Sequence, residues 1–187
     1  MRHVMRYLPF FALAVLNACG DSLGQQATFP NKVDTVTIYA LTKTPVSTPS
    51  GYSMALSQVV RTDGALPFDF AFDIDSTGQA VLLPTGAMHL GRGSGIQISP
   101  HAFDSIHVAP TSRYQLDSAV VVDTNIVAIV QSRPVTCNSG LVGLISQYYA
   151  KLRVLEIDID TTRSLRMEIL NDQNCGFRGL DIGLPRN

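Results

Sequence analysis

Side chains that alternate between apolar and polar with a period of two constrain this chain more than any other feature. Phe68, Phe70 and Phe72 are separated by single acidic or small residues, so an extended strand places all three aromatic rings on one face. Residues 76–79 then supply turn chemistry before a second apolar run. The pattern predicts a β-hairpin over residues 68–83.

Further β-branched runs separated by turn residues occur along the chain. We predict strands at 33–41, 95–99 and 105–109, a hairpin of 120–122 with 126–130, and a third hairpin of 148–159 with 165–170. Apolar residues of both parities in the first arm of the third hairpin indicate either a β-bulge near Val154 or burial on both faces. No segment shows convincing helical periodicity. The expected fold is a single all-β domain, either an antiparallel β-sandwich or a partly closed barrel.

The first eighteen residues have the layout of a secretory signal peptide. Arg2 and Arg6 precede an apolar run over residues 8–16, which is too short to span a bilayer. The sequence Leu16-Asn17-Ala18-Cys19 resembles the lipobox of bacterial lipoproteins, in which the chain is cleaved before the cysteine. The resemblance implies that residues 1–18 are removed, that Cys19 carries lipid, and that Gly20 favours the outer over the inner membrane of the cell envelope.

The composition after residue 18 limits the classes of partner. Residues 19–32 have little apolar content and are expected to form a lipidated, flexible tether, which leaves 33–187 as the β-rich domain. Without Arg2 and Arg6, 12 of the 14 Lys and Arg remain against 15 Asp and Glu, a net charge of −3. The basic residues are dispersed, so no nucleic acid partner is expected. The expected membrane contact is the N-terminal lipid.

Two cysteines remain once Cys19 is assigned to lipid. Cys137 and Cys175 form an even number in a chain predicted to enter an oxidising compartment, which favours a disulfide. A closed loop of about 38 residues corresponds to roughly 3–4 kcal/mol in the chain-entropy model. Two free or metal-bound cysteines are the alternative.

Candidate catalytic and metal motifs are incomplete. Residues 51–55 (Gly-Tyr-Ser-Met-Ala) have the outline of a nucleophile elbow, but no buried strand is predicted before them and no helix after them. Residues 73–78 imitate the first half of a calcium loop, yet Pro84 occupies the position of the bidentate glutamate. We interpret these carboxylates as solvated turn residues. The expectation is therefore a protein that is not an enzyme, with no catalytic residue and no metal site.

His89, His101 and His107 are the histidines that follow the predicted signal peptide. Imidazole ligates haem iron and zinc near neutral pH. None of the three is part of a His-x-x-x-His pair, so surface histidines without a ligand are the simpler interpretation. Ligand binding by these residues is the alternative.

Two segments are similar to a strand pair of HmuY-like haem-binding bacterial lipoproteins. They are residues 125–133 (Asn-Ile-Val-Ala-Ile-Val-Gln-Ser-Arg) and 149–154 (Tyr-Ala-Lys-Leu-Arg-Val), and 68–72 resembles an early strand of that family. The resemblance implies an all-β, surface-held protein and, in some members, a histidine pair that grips haem. The ending over residues 171–180 resembles a lineage-restricted lipoprotein family and implies no activity.

These observations together favour a non-enzymatic, lipid-anchored protein of the bacterial cell envelope that acts as a structural or interaction module. Its expected partners are the membrane, through the lipid, and another envelope protein. The alternative function is an HmuY-like binder of haem or another small apolar ligand. A cofactor is expected only under that alternative, and it is haem.

Overall fold

The computed structural model describes residues 27–139 and 142–185. The predicted signal peptide, Cys19 and residues 20–26 of the predicted tether lie outside them. Two short 3₁₀ turns are present, Thr85–Met88 and Phe103–Ser105. The strands of the described part are β1 (Val33–Tyr39), β2 (Gly51–Ser53), β3 (Gln58–Val60), β4 (Phe70–Ile74), β5 (Ala80–Pro84), β6 (Gly95–Ser99), β7 (Val120–Val121), β8 (Val127–Gln131), β9 (Val135–Ser139), β10 (Val142–Ser146), β11 (Tyr149–Asp158) and β12 (Ser164–Asp172).

Two five-stranded sheets form an antiparallel β-sandwich. Sheet I has the strand order β1–β12–β11–β8–β6, and sheet II has the order β3–β2–β4–β5–β7. Strands β9 and β10 form a separate two-stranded hairpin. The described strands do not close into a barrel, so the sandwich is the architecture that the structure supports. The all-β expectation is confirmed.

The hairpin predicted over residues 68–83 is confirmed by the pairing of β4 with β5. At its turn, Asp75 Oδ1 accepts hydrogen bonds from the backbone N–H groups of Thr77 at 2.8 Å and Gln79 at 2.9 Å. The Thr77 hydroxyl and these N–H groups lower the pKa of the Asp75 carboxyl. Gly78 has a φ of 85°, which glycine adopts without steric cost. The turn carboxylate therefore stabilises the hairpin.

The third predicted hairpin is confirmed as β11 and β12. Their register shifts between Val154 and Glu156, as expected for a β-bulge. Both faces of β11 are also buried, because Leu152 points into the main core while Lys151, its neighbour, is 3% exposed on the other face. The β-bulge and the burial of both faces thus both account for the apolar residues of both parities in β11.

Two local predictions are wrong. Residues 120–130 do not form a hairpin, since β7 pairs with β5 in sheet II whereas β8 pairs with β11 and β6 in sheet I. The turn residues 123–125 carry the chain from one sheet to the other. Residues 105–109 are irregular and pair only at the bridge between Val108 and Gly179, because the short C-terminal segment offers few backbone partners. The β9–β10 hairpin was not predicted.

The main core lies between the two sheets. Tyr52 and Phe70 of sheet II stack with their ring centroids 5.5 Å apart. Full burial of a large apolar side chain contributes about 1.5–3 kcal/mol. The largest fully buried side chains include Tyr52, Phe70, Phe72 and Leu82 from sheet II and Leu152, Leu165, Met167 and Ile169 from sheet I.

A second apolar cluster covers the outer face of sheet I. Strand β8 contributes to both clusters, because Ala128 and Val130 face the main core while Val127 and Ile129 face outward. The outer cluster is closed by the loop after β6 and by the C-terminal segment. Its buried members are Phe103, Ile106, Ala109, Val127, Ile129, Leu170 and Leu180.

The buried carboxylate of Asp69 links the two sheets. Its Oδ2 accepts a hydrogen bond from the backbone N–H of Met54 in sheet II at 2.8 Å. Its Oδ1 accepts from the backbone N–H of Arg133 at 3.0 Å and from Arg133 Nε at 3.3 Å, just after β8 of sheet I. Asp69 is 1% exposed, so its charge depends on these donors.

The strand register defines two ends of the sandwich. Val33 pairs with Leu170, and Tyr149 pairs with both Asp172 and Gln131. The first residues of β1 and β11 and the last residues of β8 and β12 therefore lie at one end, which we call the entry end. The far end holds the turns that follow β4, β7 and β11, which together line one depression.

The chain that precedes β1 is bonded to the domain at the entry end. Asn174 Oδ1 accepts hydrogen bonds from the N–H groups of Thr28 at 2.6 Å and Phe29 at 2.9 Å. Asn31 and Gly183 exchange two backbone hydrogen bonds. Residues 28–31, which belong to the predicted tether, thus contact the folded domain.

A disulfide joins the β9–β10 hairpin to the segment after β12. Cys137 and Cys175 are bonded, with their Cα atoms 5.8 Å apart. The predicted pairing is confirmed. Because Cys175 follows Asn174, the disulfide lies beside the residue that holds the chain before β1.

We expect Asp69→Ala to lower the free energy of unfolding by about 2–4 kcal/mol, because it leaves the buried N–H of Met54 and the partly buried N–H and guanidinium of Arg133 without their acceptor. Urea unfolding followed by circular dichroism measures this. The matched control is Asp73→Ala on the same strand pair, whose carboxylate bonds the exposed Thr42. A loss for Asp69→Ala no larger than that of the control would contradict the inter-sheet role.

Candidate functional site

A cleft of about 390 Å³ opens beside the outer cluster of sheet I. Its floor includes Ile129 of β8, and its walls are the end of β6, the loop that follows and the C-terminal segment. Ligand pockets in proteins commonly have about 300–1,000 Å³. The lining residues are Gln97, Ile98, Ser99, Pro100, His101, Ser105, Ile106, His107, Val108, Ala109, Pro110, Ile129 and Arg178.

Two of the three candidate histidines line this cleft. His101 follows β6, and its backbone N–H donates to Ser99 Oγ at 3.1 Å. His107 lies on the opposite wall segment, with its Nδ1 2.6 Å from Asp181 Oδ1. A carboxylate on one ring nitrogen orients an imidazole and leaves the other nitrogen to a ligand. Both side chains are exposed, so both are accessible from solvent.

His89 lies elsewhere. It ends the 3₁₀ turn that follows β5, with a φ of 59° and its backbone N–H bonded to Gly86 O at 3.0 Å. It does not line the cleft. The structure therefore brings together His101 and His107 and separates His89 from them.

Backbone hydrogen bonds attach residues 107–109, which form the wall of the cleft that carries His107, to residues 178–180. The N–H of Ala109 donates to Arg178 O, and the N–H of Leu180 donates to His107 O, both at 2.8 Å. The Arg178 guanidinium also donates to Ala109 O through Nε at 2.8 Å and through Nη2. The wall is thus attached to the C-terminal segment.

The buried Lys151 attaches the same wall to sheet I. Its Nζ donates to Ile106 O at 2.9 Å and lies 4.7 Å from the centroid of the Phe103 ring. Burial lowers the pKa of Lys151, while the carboxylates of Asp181 and Asp104 act in the opposite direction. The carbonyl and the aromatic face compensate for the water that the ammonium loses.

The nucleophile-elbow segment forms part of sheet II. Residues 51–53 are strand β2, and Ser53 is fully buried at its end. The next residue, Met54, is bonded through its N–H to Asp69. The segment thus lies in the packed sheet, and no catalytic residue is assigned.

Residues 27–139 and 142–185 contain no group of three or more His, Cys, Asp or Glu that is arranged to hold a metal ion. In that same part of the chain, no helix has the length and apolar character needed to cross a membrane. Comparison with known proteins finds neither a family model nor a curated protein sequence that matches this chain.

Sequence reasoning missed the residues that position the cleft. Asp181, Lys151 and Arg178 were not predicted site residues. Lys151 gives no signal of burial, because it alternates with apolar residues together with Arg153, as charged residues do on the solvent-facing side of a strand. Asp181 and Arg178 give no signal either, because only the tertiary fold brings the C-terminal segment to residues 107–109.

We expect Lys151→Ala to destabilise the protein by about 2–3 kcal/mol, since Ile106 O loses its donor and Phe103 loses the nearer of its two cationic partners, Lys151 and Arg153. Hydrogen exchange should also increase in residues 103–110 more than in sheet II. Urea unfolding and peptide-resolved exchange measure the two effects. Lys32→Ala, at an exposed lysine, is the control; equal behaviour of the two variants would contradict the proposed attachment.

Proposed function

We propose that this chain is a lipid-anchored, non-enzymatic protein of the bacterial cell envelope. The observation that carries the proposal is the sequence Leu16-Asn17-Ala18-Cys19 at the end of a short apolar run. In this proposal, Cys19 becomes the acylated N-terminus of the mature chain. Several acyl chains, at about 0.8 kcal/mol per buried CH₂, are enough for stable anchoring.

The disulfide supports export. Disulfides form and persist in oxidising compartments such as the periplasm and the cell surface. Cys137 and Cys175 are paired and largely buried. Gly20 after the lipidated cysteine favours the outer membrane over the inner one in this proposal.

The position of the entry end supports a structural or interaction role. The segment before β1 is held by Asn174 at one end of the sandwich, so a tether that starts at Cys19 leaves from that end. The far end and the cleft then remain available to another envelope protein. The dispersed basic residues and the net charge of −3 after residue 18 argue against a nucleic acid partner.

Replacing the predicted lipidation residue tests the anchor. We expect Cys19→Ala to move the protein from the membrane pellet to the soluble fraction, because the acyl chains are lost. Fractionation with immunoblotting and the intact mass of the mature chain measure this. Ser22→Ala, in the same segment, should stay in the pellet; a Cys19→Ala variant that also stays there would refute lipid anchoring.

Capture of haem or another small apolar ligand is the second candidate function. The observation that favours it is the cleft that brings together His101 and His107. Haem iron accepts imidazole as an axial ligand, and Asp181 orients His107 in the way that metal-bound histidines are oriented. The apolar lining residues Ile98, Val108 and Ile129 suit a flat apolar ligand. These residues are the features that support haem as the candidate cargo.

Titration with haemin tests this second function. We expect a shifted and intensified Soret band with the wild-type protein and its loss in His101→Ala and His107→Ala. Asp181→Asn should weaken binding by about 10–100-fold, as expected for a residue that orients a ligand. His89→Ala is the matched control and should bind like the wild type. An unchanged haemin spectrum with the wild-type protein would exclude haem as the ligand.

A further inference from the structure

The entry end carries a group of exposed apolar side chains, which we call the entry patch. It comprises residues from three separate segments, and each exposes between 55% and 78% of its surface. They are Phe29, Leu144, Ile145, Ile182 and Leu184.

Covalent and hydrogen-bonded contacts bring the three segments together. Asn174 Nδ2 donates to Phe29 O at 2.7 Å, and the adjacent Cys175 is bonded to Cys137. Cys137 pairs across the β9–β10 hairpin with Leu144. The bridge between residues 31 and 183 places Ile182 and Leu184 on the strand segment beside the chain that leads to β1. These contacts place the three segments next to one another where the chain enters the domain, while Leu144 and Ile145, as successive residues of β10, expose their side chains on opposite faces of the hairpin.

We propose that the entry patch docks on the surface of the bilayer to which Cys19 is anchored. The inference rests on the proposed lipid anchor. It commits to a lipid surface because residues 20–26 lead from the patch to the predicted acylated cysteine, and because exposed apolar side chains are typical of membrane contact sites.

The length of the tether favours the bilayer as the surface on which the entry patch docks. Phe29 is the tenth residue after Cys19, so the patch lies at most about 36 Å from the anchor when the chain is fully extended. The sequence predicts a flexible tether, and for a flexible chain of ten residues the root-mean-square span is about 17 Å. The patch is therefore held at high effective concentration next to the bilayer, and a weak apolar contact suffices for docking.

The charge distribution disfavours the reverse orientation. The ten residues of β11 span about 33 Å, which separates the far end from the entry end by a similar distance. Bacterial anionic lipids repel carboxylates within a Debye length of the surface. The far-end loops and strand ends carry Asp73, Asp75, Asp123, Asp158 and Asp160, which outnumber the basic Lys43 and Arg163 at that end.

The chain contains no tryptophan, so one introduced indole reports its own position without background. We expect the Phe29→Trp and Ile182→Trp variants of the lipidated protein, reconstituted in phosphatidylethanolamine–phosphatidylglycerol vesicles, to emit at shorter wavelength. Brominated acyl chains should quench both, since interfacial side chains lie about 5–10 Å into the headgroup and acyl boundary. Val46→Trp is the matched control and should show neither effect, because Val46 is exposed in the loop after β1, which bonds Asp73 and Arg163 near the far end through Thr42.

A charge in the patch provides a second test. Adding Ile182→Asp to the Phe29→Trp variant should restore aqueous emission, while the protein still sediments with the vesicles through its acyl chains. Aqueous emission from the Phe29→Trp variant itself, in protein that sediments, would overturn docking and leave the anchor intact. Loss of acyl groups from Cys19 in the intact mass would overturn the anchor and docking together.

Two further results would overturn docking of the entry patch on the bilayer. Equal quenching of the Val46→Trp and Phe29→Trp variants would overturn the oriented contact. The soluble Cys19→Ala/Phe29→Trp protein is the reference without lipid, and its emission should be aqueous. A blue shift that grows with its concentration would assign the patch to a second copy of the chain and overturn docking on lipid.

Discussion

The burial of sheet I on both faces determines where the candidate sites lie. Residues of one parity in β8 and β11 pack into the main core, and residues of the other parity pack under the loop after β6 and the C-terminal segment. The cleft exists because these two irregular segments have to cover an apolar sheet face. Lys151 and Arg178 attach the wall to the sheet and to the C-terminal segment, so the orientation of His107 depends on the same burial.

The entry end is the second region on which the proposals depend. Asn174 holds the chain before β1, and Asp172 Oδ1 in turn accepts the backbone N–H of Asn174 at 2.8 Å. Burial raises the pKa of Asp172 to about 6, so its carboxyl is costly to ionise in the folded protein. The neighbouring disulfide fixes the β9–β10 hairpin to this region. One end of the sandwich thus combines the chain entry, the C-terminal segment and the hairpin.

Many strand positions were predictable from the sequence, because alternation of apolar and polar residues is visible within a few neighbouring residues. Residues 68–83 and the third hairpin were predicted correctly because each is closed by a turn of a few residues. The error over residues 120–130 has a physical cause. The turn residues 123–125 suit a hairpin and a crossover between sheets equally well, and only the packing of β7 against β5 distinguishes the two. Asp69 is a similar case, since an aspartate in an alternating strand is normally solvated, and it is buried here because Met54 and Arg133 bring donors to it.

The sequence by itself determined the all-β class. Apolar residues that alternate with polar ones lie on a common face, and can be buried together, only when the chain is extended. It also determined that Cys137 and Cys175 are the pair left for a disulfide once Cys19 is assigned to lipid. Only the tertiary structure decided which histidines share a cleft, because the covering of sheet I places His101 and His107 in one cleft and brings Asp181 to His107. The entry patch likewise arises from segments far apart in the chain. Which exposed side chains become neighbours on the surface depends on contacts between distant segments, and no local sequence pattern encodes those contacts.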